Sequence, residues 1–133
     1  MSTLVDTSAW VEYLRMTGSA TNLRVRDMIE TGAPMAITDV VIMELFSGAA
    51  TSDTRGKIRG LLNRFTMIPI RPLFDYELAA ELYVRCRRAG FTPANSNDLL
   101  VAAVAIGKKV PLLAADSDFE RIAAVSSLRL HAV

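Results

Sequence analysis

The chain has 133 residues, is 51% hydrophobic, and sets Lys+Arg 15 against Asp+Glu 14 for a net charge of +1. This predicts one folded domain over 1–133, excludes a disordered chain, and leaves global charge silent about partners. A single cysteine, Cys86, excludes an internal disulfide or multi-cysteine zinc site, and a single histidine, His131, excludes two-histidine nuclease chemistry.

In chain order, residues 2–6 read as a buried strand, and Ser8 is placed to cap a short helix reaching Arg15 before the Thr17-Gly18 break. Leu23, Met28 and Ile29 mark a helix that stops at Gly32. Pro34 to Ile37 is a second strand. Thr38 or Asp39 caps a helix with Val41, Leu45 and Phe46 on one face. Ser52 or Asp53 opens another, turning Ile58, Leu61, Leu62 and Phe65 inward, and Met67 to Ile70 forms a third strand. Pro72 is placed to begin a long helix whose apolar positions Leu73, Tyr76, Ala80 and Tyr83 recur at helical spacing, with Gly90 after its end. A loop with Pro93 leads to a helix from Ser96 to Lys108. A fourth strand at 110–115, a helix at 118–125 and a short strand at 128–131 complete the chain. Strands alternating with helices, and apolar on both faces, predict a parallel sheet covered on both sides. In such sheets ligands sit beyond the carboxyl ends of the strands.

Four acids stand where apolar residues would be expected. Asp6 ends Leu4-Val5, Glu44 interrupts Val40 to Phe46, Asp98 opens Leu99 to Ala105, and Asp116 closes Leu112 to Ala115, with Asp118 two residues on. Each has a plain structural reading: Asp6 as a helix cap, Glu44 as an exposed side chain, one of Asn95 to Asp98 as a cap, Asp116 and Asp118 as turn residues. Together at one strand edge they would repel, by roughly 4 kcal/mol per close pair at an effective dielectric of 20. A shared divalent cation reverses that sign, and oxygen-only ligands select Mg²⁺ or Mn²⁺ over zinc.

The pattern Asp6-Thr7-Ser8 after the first strand, Glu44 within a helix opened by Thr38, Asp98 heading an Ala-rich helix, and Asp116-Ser117-Asp118-Phe119 after a strand resembles the PIN-domain ribonucleases, and in its compact size the VapC toxins of toxin–antitoxin pairs. The resemblance spans essentially the whole chain. It implies a three-layer α/β/α fold with a parallel sheet of four or five strands ordered 3-2-1-4-5. It implies a Mg²⁺- or Mn²⁺-dependent endoribonuclease with Asp6, Glu44, Asp98 and Asp116 as catalytic acids, and with Asp118 joining them around the metal. Water activated there would hydrolyse phosphodiester bonds of structured RNA such as tRNA or rRNA, leaving 5′-phosphate and 3′-hydroxyl ends. A small cognate antitoxin and a homodimer or toxin–antitoxin hetero-oligomer are also implied, while the single cysteine fits a cytoplasmic location and no apolar run approaches the about 20 residues a membrane span needs. The alternative is a catalytically inactive PIN-like module that binds RNA or protein.

A response-regulator receiver fails on chemistry, because the third strand ends Ile68-Pro69-Ile70-Arg71-Pro72 without an Asp to accept phosphate. A haloacid-dehalogenase-type phosphatase needs an Asp two residues after the first, and Ser8 stands there. Trp10 and Tyr13 are expected in the core or a dimer contact rather than stacked on bases. The basic stretches Arg55 to Arg64 and Arg85 to Arg88 are expected as solvated helix faces, and Cys86 as a small buried hydrophobe.

Overall fold

A computed structural model describes residues 1–133. Strand β1 (Thr3–Val5) lies at the centre, flanked by β2 (Met35–Ile37) and β4 (Leu112–Leu113), with β3 (Thr66–Met67) outside β2. Every pairing is parallel: Leu4 sits opposite Ala36 on one side and Leu112 on the other, and Ala36 opposite Thr66. All positions of β1, β2 and β4 are buried, and apart from Thr3 they carry Leu, Val, Met, Ala and Ile without polar alternation. The fifth strand expected at 128–131 is reduced to one parallel bridge from Leu130 to Leu112, beyond β4. The observed order 3-2-1-4 therefore keeps the expected topology, with the last strand as a vestige.

Seven helices cover the two faces: α1 (Thr7–Leu14), α2 (Ala20–Thr31), α3 (Asp39–Ser47), α4 (Ser52–Leu62), α5 (Phe74–Arg88), α6 (Ser96–Lys108) and α7 (Asp118–Ala124). Helix α1 packs on α2 and α3, whereas α5 packs on α6, and α7 on both. Trp10, 1% exposed, lies 5.3 Å from the Phe65 ring and 6.2 Å from Tyr13, which settles it in the core.

Several boundaries move for local reasons. Strand β3 covers only 66–67, because Pro69 has no N–H to continue a ladder and the last bond is from Ile68 N to Ile37 O. Helix α1 starts one residue before Ser8, with Asp6 as its cap, and Thr51 rather than Ser52 or Asp53 caps α4. Pro72 does not begin α5. It precedes a tight turn in which Phe74 N donates to Pro72 O while Leu73 sits at φ 73, ψ −65. In α5, Asp75, Ala79, Leu82 and Cys86 face inward, whereas Leu73, Tyr76, Ala80 and Tyr83, the apolar positions at helical spacing, face out. The buried Asp75 is held by Arg71, through its backbone N–H at 2.7 Å and its guanidinium at 3.1 Å. The guanidinium crosses α6 at Gly107, where any Cβ would collide with it.

Candidate active site

Parallel strands put their carboxyl ends on one edge, and the acids gather there. Asp6 follows β1 directly. It is 3% exposed, caps α1, and spends one oxygen: Oδ2 accepts from the Ser8 amide at 3.0 Å and the Ser8 hydroxyl at 2.7 Å. Its other oxygen, Oδ1, is buried without any partner. A buried carboxylate oxygen left unmatched is unfavourable by a kcal/mol or more, about 1–3 in typical cases. Burial is the main reason the Asp6 carboxyl is pushed above the ordinary range; the Ser8 bonds oppose it and the Glu44 charge reinforces it.

Asp98 lies in the first turn of α6 and is 7% exposed. Asn95 takes the capping role, its side chain accepting from the Asn97 amide at 2.9 Å, so the Asp98 carboxylate is not spent on the helix end. Its pKa is pushed up to about 7, first by burial and then by the charges of Asp6, Asp116, Glu44 and Asp118. Asp98, Asp116 and Asp118 each offer an oxygen within 4.8 Å of the others. Asp116 is also the turn residue it resembled, since its Oδ1 accepts from the Asp118 amide at 2.9 Å.

Glu44 is half-buried rather than on the solvent face, and its Oε1 accepts the Thr7 hydroxyl at 2.8 Å. The structure thus brings all five predicted acids to one edge. The three side-chain ion pairs of the chain, Arg24–Asp27, Arg71–Asp75 and Arg85–Glu81, leave every one of them without a cation.

One structural device was not fixed by sequence. The Ser8 hydroxyl that donates to Asp6 also accepts the amides of Ala115 at 2.9 Å and Asp116 at 3.3 Å. It clasps the β1 end to the β4–α7 turn across a separation of more than a hundred residues. Local spacing marks Ser8 as a helix cap and carries no signal for this second contact.

Comparison with known proteins agrees with this geometry. The model of the PIN domain matches residues 3–125. Ribonuclease VapC11 of Mycobacterium tuberculosis is 38% identical over 127 residues, covering 95% of each chain. The chain belongs to the PIN-domain family, among the VapC ribonucleases. Two solved structures share the fold. VapBC2 from Rickettsia felis, bound to a promoter DNA fragment, superposes with a TM-score of 0.77 at 20% identity over 98% of each chain. VapBC-5 of Mycobacterium tuberculosis, of the VapBC family of toxin–antitoxin systems, gives 0.69 at 24% identity over 99% of this chain and 98% of that one.

The donor set of this PIN domain fits a hard divalent cation. It is all oxygen, it holds more negative charge than it balances, and it includes one buried oxygen with no partner. No helix is long and apolar enough to cross a membrane.

Proposed function

We propose that the chain is the toxin of a toxin–antitoxin pair and hydrolyses phosphodiester bonds in structured RNA, such as tRNA or rRNA, with Mg²⁺ or Mn²⁺. The carrying observation is the unmatched Oδ1 of Asp6 beside acids that no arginine neutralises. Asp6, Asp98, Asp116 and Asp118 would hold the cation, with Glu44 at the same edge. A bound Mg²⁺ or Mn²⁺ would neutralise charge on the phosphoryl oxygens and lower the pKa of a water.

The chain's own residues set the rest. Ser8 fixes the Asp6 carboxyl so that Oδ1 is presented and Oδ2 is occupied. Thr7 orients Glu44, leaving its second oxygen free to accept a proton or a water hydrogen bond. Asp98, its pKa pushed up to about 7 by burial and its acidic neighbours, would give up its proton near neutral pH when a cation is held there.

A cognate antitoxin is supported by the toxin–antitoxin assemblies among the solved relatives, and an arginine from it would satisfy the acidic edge as a cation does. A homodimer is supported by the outward Leu73, Phe74, Tyr76, Tyr83 and Val84 of α5, a large apolar surface for one helix. A cytoplasmic location suits an RNA substrate. The test is sequencing of RNA ends after brief expression. Wild type should generate new 5′-phosphate ends at a small set of sites, and Asp98→Ala should generate none. Identical end profiles in both would overturn the reading.

A further inference from the structure

Five acids at one edge repel the substrate they are to cut, so a polyanion must be drawn in by cations that stand near the acids without neutralising them. Most arginines of the chain are already occupied or remote in sequence from the acids. Arg71 is tied to Asp75, Arg85 to Glu81, and Arg87 donates to the Tyr83 hydroxyl. Arg55 and Arg59 share the Phe46 ring at 5.9 and 5.5 Å. Arg121 differs. It lies one turn after Asp118 on α7, and residues three apart on a helix are surface neighbours, about 5–6 Å between Cβ atoms. Its guanidinium lies 4.7 Å from the centre of the Phe91 ring, the shortest such distance in the chain. Phe91 belongs to the segment between α5 and α6 that leads to Asp98, and its amide is fixed to Cys86 O at 2.9 Å.

A guanidinium stacked on a ring uses its flat face and leaves its N–H edge free. Arg121 is exposed and makes no ion pair and no side-chain hydrogen bond, so all five donors remain available. The ring restrains the fork in advance, which lowers the entropy lost when an anion is gripped. We propose that Arg121, held by Phe91, binds a backbone phosphate of the RNA beside the one being cut, and so positions the strand across the acidic edge. This rests on the RNA-hydrolysing reading and adds a substrate contact to it. Arg121 is a positioning residue: it touches the substrate backbone and not the reacting phosphate.

The test measures binding of a fluorescein-labelled oligouridylate of about 12 nucleotides to the Asp98→Asn chain, across a series of salt concentrations. Adding Arg121→Gln should weaken binding about tenfold and reduce the slope of log affinity against log salt by about 0.7, the contribution of one phosphate contact on a single strand. Arg121→Lys should keep the slope and lose part of the affinity. Phe91→Leu should do the same, because the charge stays and the restraint goes. Melting temperature and Mn²⁺ affinity of the otherwise wild-type Arg121→Gln chain should match wild type. Equal affinity and slope in the Arg121→Gln and parent chains would overturn the inference and leave RNA hydrolysis standing, as would weaker binding with an unchanged slope. A parent that binds no RNA, together with a wild type that releases no fragments in Mn²⁺, would overturn both.

Discussion

Asp98→Asn offers the sharpest test of the acidic edge, because it separates stability from catalysis. The carboxyl's pKa is raised from 3.8 to about 7 in the folded chain. A raised acid binds its proton more tightly folded than unfolded, so the metal-free fold loses stability as pH climbs from about 4 to about 7, and the loss is complete above that. Three pH units at about 1.4 kcal/mol each set an upper bound near 4 kcal/mol. Solvent screening and relaxation around the site reduce this to about 2 kcal/mol. With an unfolding entropy of about 2.1 cal/mol/K per residue, that is about 7 °C in melting temperature. In EDTA at pH 8, Asp98→Asn should therefore melt about 7 °C above wild type, and at pH 4 the two should converge. Saturating Mn²⁺ should reverse the order, since a cation at a hundred times its Kd adds about 2.7 kcal/mol to wild type and little to the variant. Differential scanning calorimetry at both pH values, with and without Mn²⁺, reads all four states. A variant no more stable than wild type in EDTA at pH 8 would refute the claim that burial and its acidic neighbours strain the Asp98 carboxylate.

Asp6→Asn should abolish RNA cleavage while keeping the circular dichroism spectrum, because the amide oxygen still accepts from Ser8 and only the unmatched charge is lost; normal turnover would remove Asp6 from the site. Thr7→Val should free Glu44 and lower kcat/KM for RNA about tenfold, with melting changed by no more than a few degrees, as for the loss of one hydrogen bond worth about 1 kcal/mol. Gly107→Ala should push Arg71 off its path, break its pair with the buried Asp75, and lower stability by about 1–3 kcal/mol in urea, with cleavage per folded molecule unchanged. An unaltered urea midpoint would mean that Arg71 swings clear without releasing Asp75.

The acidic edge was legible because its signal is local and costly: a carboxylate beside Leu4-Val5 or heading Leu99 to Ala105 needs a reason wherever the chain goes. Parallel topology then put the strand-end acids on one edge without any need to know the pairing. The orientation of α5 was not legible. Leu73, Tyr76, Ala80 and Tyr83 hold a helical period as good as that of Asp75, Ala79, Leu82 and Cys86, and hydrophobicity alone favours the first set. The second set is the buried one, and Arg71 returns to match its Asp75. A buried charge with a partner four residues back faces inward, and the set with two tyrosines faces out.

The Ser8 clasp shows where local reading ends and why the site is more than a sum of capping motifs. As a cap, Ser8 was dispensable, since Asp6 fills that position on α1. Its hydroxyl instead donates to one carboxylate and accepts from two amides of the β4–α7 turn. One proton and the oxygen lone pairs are thereby committed, which leaves the hydroxyl no free donor to reach Asp6 Oδ1 or a phosphate. The donor deficit at Oδ1 goes with the hydrogen-bond pattern of the two hydroxyls that follow Asp6: Thr7 is spent on Glu44 and Ser8 on Oδ2. On the proposed reading, a divalent ion in the working enzyme, or a guanidinium from an antitoxin in the silenced one, would complete the edge from outside the chain. The two would then compete for the same oxygens, so that antitoxin release and metal loading would be coupled.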